Sequence, residues 1–244
     1  METLMELLQD RGRFIDEITA GNNIKKKIES LLLICLIAFA VYGFIMGMSN
    51  SFLQSLSSMI KLPLLYLATT GICFPTFFIF YSLFGSKTTL SKSLAYMLTA
   101  ICVMSVIMLA FAPVTLFFLL TSKNYTFFKL LNVLFFSVSG IVGVSFFYKM
   151  IVSVDSRQDA RKPDSEADPG ADASKTAPNV PASGHGARNK ILFFWLILYA
   201  FVGTQLAWTL RPFFGSPEMQ FELVRKLGGN FYVDIVKSIA RMFN

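Results

Sequence analysis

Hydrophobic residues are concentrated in five long stretches of the chain that carry almost no charge. Each stretch is about as long as an apolar segment must be to cross a bilayer, and such runs are typical of membrane-spanning helices. The pattern therefore predicts an all-α integral membrane protein, built as a bundle of about five transmembrane helices. The predicted spans are Leu31–Met48, Leu62–Phe84, Leu94–Leu120, Leu130–Tyr148 and Ile191–Leu210.

The polar segments between the first four spans are short. They comprise Ser49–Lys61, which is predicted to be a polar amphipathic turn, followed by Ser86–Lys92 and Ser122–Thr126. None is long enough to hold a domain, so we expect successive spans to lie side by side and antiparallel. Residues 31–151 are thus predicted to form a four-helix transmembrane bundle, and residues 191–210 a separate fifth helix.

The segment 152–190, between the fourth and fifth spans, has a different composition. From Asp155 to Asn189 it contains no aromatic residue and four prolines, and it is rich in Asp, Ala, Ser and Gly. Such a stretch buries too little apolar surface to offset the entropy lost on ordering. It is predicted to be a disordered tether.

Both ends of the chain show amphipathic patterns. In residues 1–30, Leu4, Leu8, Ile15 and Ile18 recur near helical spacing, which predicts a cytoplasmic or interfacial helix that Gly21 ends. Residues 211–244 predict an interfacial helical tail, with a final apolar stripe opposed by charged residues. That stripe suits a helix lying on the membrane surface, and it equally suits packing on the protein's own bundle.

Composition and charge agree with a membrane protein. Charged residues make up 15% of the chain, against about 25% in soluble domains, and hydrophobic residues make up 54%. The net charge of +7 comes from Lys and Arg gathered at span ends and in the tails, without the basic stripe interleaved with aromatics that nucleic-acid binding requires. The Lys and Arg excess on the side of Lys25–Lys27 predicts a cytoplasmic amino terminus.

Small residues mark candidate helix-packing faces. Gly43 and Gly47 form a G-x-x-x-G pair in the first span, which lets two helix backbones approach closely. Ser139 and Gly143 share a face of the fourth span. These positions predict either packing inside one chain or an oligomer seam.

Three residues inside the spans are candidates for a pore or for polar contacts. Pro75 and Pro113 are expected to bend or open their helices, and carbonyls released in this way can bind cations beside a water-filled path. Asn132 is expected to bond a neighbouring span or to line a polar crevice. No Asp, Glu, Arg or His lies inside the predicted spans, which argues against carboxylate-coupled transport.

The end of the fifth span carries the most site-like cluster. Gln205, Trp208 and Arg211 recur every three residues, so they form a stripe that is suited to lipid or partner contact. The simpler interpretation is an interfacial anchor of Trp and Arg. The chain shows no nucleophile, metal cluster or acid pair of catalytic type, which predicts a protein that is not an enzyme and binds no cofactor.

The segment that begins at Gln205 resembles the end of a group of bacterial polytopic membrane proteins. The shared signature is Gln-x-x-Trp-x-Leu-Arg-Pro-Phe-x-Gly-Ser-Pro, which runs here from Gln205 to Pro217. The resemblance implies a bacterial inner membrane and implies no activity. The five-span layout with an inside amino terminus also resembles the Yip family of membrane-trafficking proteins.

These features together predict a non-enzymatic polytopic membrane protein that organises or anchors a membrane complex. Its expected partners are the lipid bilayer, a second copy of itself or another membrane protein. The alternative is an oligomeric channel or an uncoupled transporter for a small ion or solute.

Overall fold

A computed structural model describes residues 2–83, 88–122, 124–160, 184–213 and 231–243 of the chain. Every regular element in these residues is a helix, and five of the helices are long and apolar enough to cross a membrane. The predicted fold class is therefore confirmed. The helices are α1 (Glu2–Gln9), α2 (Arg11–Ala20), α3 (Ile24–Gly47), α4 (Phe52–Leu83), α5 (Leu90–Thr121), α6 (Tyr125–Ala160), α7 (Gly184–Thr209) and α8 (Phe231–Phe243).

The spanning helices are longer than the apolar stretches that predicted them. α4 has 32 residues, which corresponds to about 48 Å at 1.5 Å per residue and exceeds the roughly 30 Å of the hydrocarbon core. Its extra turns come from the expected connection Ser49–Lys61, in which polar and apolar residues alternate in an amphipathic pattern. The prediction of a turn was wrong for Phe52–Lys61, because Gln54 and Ser58 are buried against the protein and continue the helix.

The bundle is organised around α3, which packs along both α4 and α5. α6 packs mainly on α5, and α7 packs mainly on α4, so α7 and α6 meet over only a few residues. The core between these helices is rich in aromatic rings. Phe39 stacks on Tyr66 with ring centroids 4.0 Å apart, and Phe111 stacks on Phe135 at 4.3 Å.

The two short helices at the amino terminus pack on the end of the bundle where α3 begins. Their buried side chains are Leu7, Phe14 and Ile18, whereas Leu8 of the predicted apolar set is half exposed. Asp10 caps α2 by accepting a hydrogen bond from the amide of Arg13, which separates α1 from α2. The predicted end at Gly21 coincides with the cap of α2, where a φ of 90° favours glycine.

Lys27, in the second turn of α3, holds this pair of helices in place. Its Nζ donates to Glu17 Oε2 at 2.6 Å, lies 3.7 Å from Glu6 Oε2 and sits 4.4 Å from the centre of the Phe14 ring. The Lys27 side chain is almost fully buried. The ion pair therefore joins α2 to the first spanning helix.

The segment predicted as a tether is partly helical at its ends. α6 continues to Ala160, and Tyr81 of α4 donates a hydrogen bond to the buried Asp155 at 2.5 Å. α7 begins at Gly184. Residues 161–183 and 214–230 lie outside the described residues, so the predicted disorder and the end of the Gln205–Pro217 signature stay predictions.

We expect the docking of α1 and α2 to weaken in acid. The hydrogen bond from Lys27 lowers the pKa of Glu17 below its ordinary value of 4.5. A lowered folded-state pKa stabilises the docked state above the ordinary value, and this contribution is lost as pH falls through the lowered pKa. The rate of thiol labelling of a cysteine at the buried Ile18, divided by the rate for the same cysteine in the unfolded chain at the same pH, should therefore rise below about pH 4.5.

The matched variants for this experiment are Glu17→Gln and Glu29→Gln in the Ile18→Cys background. Glu17→Gln should label faster at neutral pH and lose most of the acid response. Glu29 is exposed and has no ion pair among the described residues, so Glu29→Gln should follow the parent profile. Identical profiles for all three proteins would contradict the role of the Lys27–Glu17 pair.

Candidate functional site: the polar junction after α7

A row of polar side chains lies along one face of the first turns of α4. Gln54, Ser58 and Lys61 are spaced by four and three residues, so they point to the same side of the helix. Gln54 and Ser58 are fully buried, and Lys61 is 6% exposed. Polar side chains that are buried in this way require hydrogen-bond partners.

The partners are backbone carbonyls just beyond the end of α7. Gln54 Nε2 donates to the carbonyl of Pro212 at 2.8 Å, and Ser58 Oγ donates to the carbonyl of Phe213 at 2.7 Å. Lys61 Nζ donates to the Pro212 carbonyl at 3.3 Å. Carbonyls after a helix end have no partner within the helix, so α4 supplies donors that the chain needs there. We call this arrangement the polar junction.

The predicted stripe at the end of α7 borders the polar junction. The guanidinium carbon of Arg211 lies 3.6 Å from the centre of the Trp208 ring, which is a close cation–π contact. Trp208 is 9% exposed, and Gln205 is partly buried one turn earlier. The structure thus brings Trp208 and Arg211 together and places both beside Pro212 and Phe213.

Asn132 lies in a buried hydrogen-bonded group that joins three spans. Its Oδ1 accepts from the Tyr42 hydroxyl at 2.7 Å, and its Nδ2 donates to the carbonyl of Phe128 at 2.8 Å. Thr115 Oγ1 donates to the Tyr42 oxygen at 3.2 Å. The group therefore links α3, α5 and α6 through side chains that are withdrawn from lipid.

The two prolines that were predicted to line a pore do not lie beside Asn132. Pro75 in α4 and Pro113 in α5 are both exposed on the outer surface of the bundle, away from the buried group. Within one chain the three positions therefore line no common path, and the oligomeric channel stays an alternative prediction.

The predicted helix-packing residues lie at contacts within one chain. Cβ atoms added at Gly43 and Gly47 would overlap with the backbone of α4, at Ser58 and at Ser55 respectively. Gly143 faces Met104 of α5, and the buried Ser139 donates to the carbonyl of Phe136 in its own helix. These close approaches bring α3 against α4 and α6 against α5.

The last helix, α8, is attached to the bundle through its polar side. Lys129 of α6 pairs with Asp234 and also donates to Ser238 Oγ at 3.0 Å. The hydroxyls of Thr204 and Tyr232 are 3.1 Å apart, which places α8 against the last turns of α7 as well. Outward from these contacts lies an apolar surface, the α8 face, which consists of Val233, Val236 and Ile239, each 44–66% exposed.

Several of these residues carry signals that can be seen in the sequence. The spacing of Gln54, Ser58 and Lys61 is a helical polar stripe, but it was assigned to a turn. Tyr42 is an isolated polar group in an apolar span, which commonly indicates a hydrogen-bonded neighbour. The pairing of Lys129 with Asp234 has no local signal, because the two residues are 105 positions apart.

Within the described part of the chain, no group of three or more His, Cys, Asp or Glu side chains is placed to hold a metal ion. Comparisons of the chain with protein-family models, with curated proteins and with solved structures found no significant match.

Proposed function

We propose that this chain is a non-enzymatic polytopic membrane protein that organises or anchors a membrane complex, and that the α8 face is its attachment surface. The observation that carries this proposal is the orientation of α8. Its polar residues Asp234 and Ser238 are turned toward Lys129, and Val236 on its other side is 66% exposed.

This orientation matters because an amphipathic helix at a membrane surface normally turns its polar side to water and its apolar side to lipid or protein. In α8 the polar side instead packs against the protein, through Lys129. The apolar side of α8 therefore faces outward at the end of the bundle. Exposed apolar surfaces of this kind favour contact with lipid or with another protein.

The rest of the bundle supports a static role. Tyr42, Thr115 and Asn132 bond one another across three spans, and Gln54 and Ser58 bond the segment after α7. Such cross-links between helices favour one packed arrangement. Together with the docked α1 and α2, they form a rigid body on which other proteins can assemble, in a bacterial inner membrane with the amino terminus in the cytoplasm.

Photo-crosslinking from the α8 face tests the proposal. We expect a photoreactive amino acid at Val236 to give a protein adduct of defined mass in cells. The same probe at Phe194, a lipid-exposed position of α7, should give lipid adducts only. Adducts to protein from neither position would count against an attachment surface.

A pair of substitutions extends this test to the intact complex. Val236→Asp should reduce the size of the particle extracted in mild detergent, because a charge on the α8 face opposes burial there. Lys237→Asp introduces the same side chain one residue away, at a position that is already charged, and should leave the particle unchanged. A wild-type chain that is extracted only as a partnerless monomer would overturn the proposal.

A further inference from the structure

Two cations lie beside one phenylalanine ring where α2 meets α6. The guanidinium carbon of Arg11, the first residue of α2, lies 5.9 Å from the centre of the Phe146 ring. Lys149 follows Phe146 by three residues in α6, and residues at this spacing share a helix face, with Cβ atoms about 5–6 Å apart. Both Arg11 and Lys149 are exposed. We call Arg11, Phe146 and Lys149 the basic corner.

Neither cation of the basic corner is neutralised within the described part of the chain. Arg13, in the same helix as Arg11, pairs with Glu17. The ion pairs of the described residues include neither Arg11 nor Lys149. The carboxylate of Asp10, which precedes Arg11, accepts instead a hydrogen bond from the amide of Arg13. Two neighbouring like charges repel each other, so the basic corner favours an anion as its ligand.

The basic corner lies at the depth of the lipid phosphates. Lys149 directly follows Tyr148, the last residue of the apolar stretch of α6. At the same end of the bundle, Lys190 directly precedes the apolar stretch of α7, and Lys27 lies about one turn before that of α3. Lysines at span ends reach the headgroups, whereas Phe146 belongs to the apolar stretch and borders the acyl chains. The bilayer therefore supplies phosphate groups at the basic corner.

We propose that Arg11 and Lys149 together bind the phosphate of one phospholipid, in the leaflet on the amino-terminal side of the protein. A phosphodiester has two unesterified oxygens that share one negative charge, so it accepts hydrogen bonds from both cations at once. The corner is open at the membrane surface, so the headgroup needs no enclosed cavity. Because Arg11 belongs to α2 and Lys149 to α6, the bound lipid joins the amino-terminal helices to the bundle.

Labelling of the docked helix tests this link in vesicles of known composition. The full chain with Ile18→Cys is reconstituted either in phosphatidylglycerol or in an uncharged galactolipid that forms bilayers and contains no phosphate. Its labelling rate is divided by that of a cysteine at the exposed Ala20 in the same vesicles, which corrects for the lower pH at an anionic surface. We expect this ratio to be about fivefold lower in phosphatidylglycerol, the effect of one Lys or Arg at an anionic surface.

Lys149→Gln separates a shared phosphate from direct contacts of α2. Lys149 forms no ion pair with α2 in the described residues, so its replacement should raise the ratio in phosphatidylglycerol and leave it unchanged in galactolipid. Arg11→Gln also loses the contact with Phe146, and it should raise the ratio in both lipids.

Lys26→Gln is the matched control for Lys149→Gln. Lys26 is another exposed lysine at this end of the bundle and has no ion pair among the described residues. Lys26→Gln should keep the response of the parent protein to phosphatidylglycerol. An equal loss of response in Lys26→Gln and Lys149→Gln would overturn the proposal, because general attraction of basic residues to the surface would then explain both.

Inorganic phosphate distinguishes a lipid from a free ion as the ligand. Added to the galactolipid vesicles, it should leave the labelling ratio unchanged. Protection by inorganic phosphate that matches the protection by phosphatidylglycerol would overturn the assignment to a lipid.

Native mass spectrometry gives a readout that does not depend on the Ile18→Cys substitution. Wild type and Lys26→Gln, released from detergent, should retain one phosphatidylglycerol per chain. Lys149→Gln should retain it about fivefold less tightly. Equal retention by all three proteins would contradict a binding site at the basic corner.

Discussion

Replacing Gly47 by alanine is expected to separate α3 from α4 and to cost about 3 kcal/mol of the free energy of unfolding, the upper range for overpacking. The added Cβ would lie 2.5 Å from Ser55 Cα and 2.7 Å from the carbonyl oxygen of Gln54. Both atoms belong to the backbone of α4, so no side chain can move aside to make room. Titration with a denaturing detergent, followed by circular dichroism, measures the loss.

Other glycines in the spans provide matched controls for this substitution. Cβ atoms added at Gly71 and Gly140 would meet nothing within 4 Å. Alanine at these sites should leave stability unchanged or raise it by about 0.5–1 kcal/mol, since glycine weakens a helix interior. Gly143→Ala should fall between the two cases, because its Cβ would meet the flexible side chain of Met104.

The expected order of stability is therefore Gly140→Ala, then Gly143→Ala, then Gly47→Ala as the least stable. If Gly47→Ala were as stable as Gly140→Ala, α3 and α4 would not be in the close contact that the structure places there. The same result would reopen the oligomer-seam interpretation of Gly43 and Gly47, since the pair would then face outward.

Loss of the polar junction is expected to have the second-largest effect. The double variant Gln54→Leu, Ser58→Ala removes the donors at 2.8 Å and 2.7 Å from the carbonyls of Pro212 and Phe213. Each hydrogen bond contributes about 0.5–1.5 kcal/mol net, and a buried carbonyl left without a donor costs about 1–3 kcal/mol. This cost falls on the Phe213 carbonyl, because the Pro212 carbonyl keeps the hydrogen bond from Lys61 Nζ. Amide hydrogen exchange over residues 205–213 should accelerate by about tenfold to a hundredfold, as local opening becomes easier.

Ser57→Ala and Ser58→Ala form a sharp control pair for this experiment. The two residues are adjacent and lose the same atom on substitution. The Ser58 hydroxyl bonds Phe213, whereas the buried Ser57 hydroxyl has no hydrogen-bond partner in the described residues. Exchange should accelerate in Ser58→Ala only. Equal rates in the two single variants would show that the junction does not hold the segment after α7.

The spanning helices were predictable because their signal is local. Each residue of an apolar run favours the hydrocarbon core by itself, and a helix satisfies its own backbone hydrogen bonds in lipid without any other part of the chain. The sequence therefore located five spans, and the break at Gly21 followed from the conformational freedom of one residue. The start of α4 was predicted too late in the chain, at Leu62 instead of Phe52. The additional turns contain Gln54 and Ser58, which are buried because the segment after α7 supplies their hydrogen-bond partners.

The sequence by itself determined that this chain is a membrane bundle with small, closely packing faces. Only the tertiary structure decided what each face meets: Gly47 meets α4, Asn132 meets Tyr42, and Gln54 meets a carbonyl 158 residues away. Lipid is as apolar as the side chains it surrounds, so helix pairing depends on shape and on a few hydrogen bonds rather than on hydrophobicity. Those interactions join residues that are distant along the chain, and no local pattern records them.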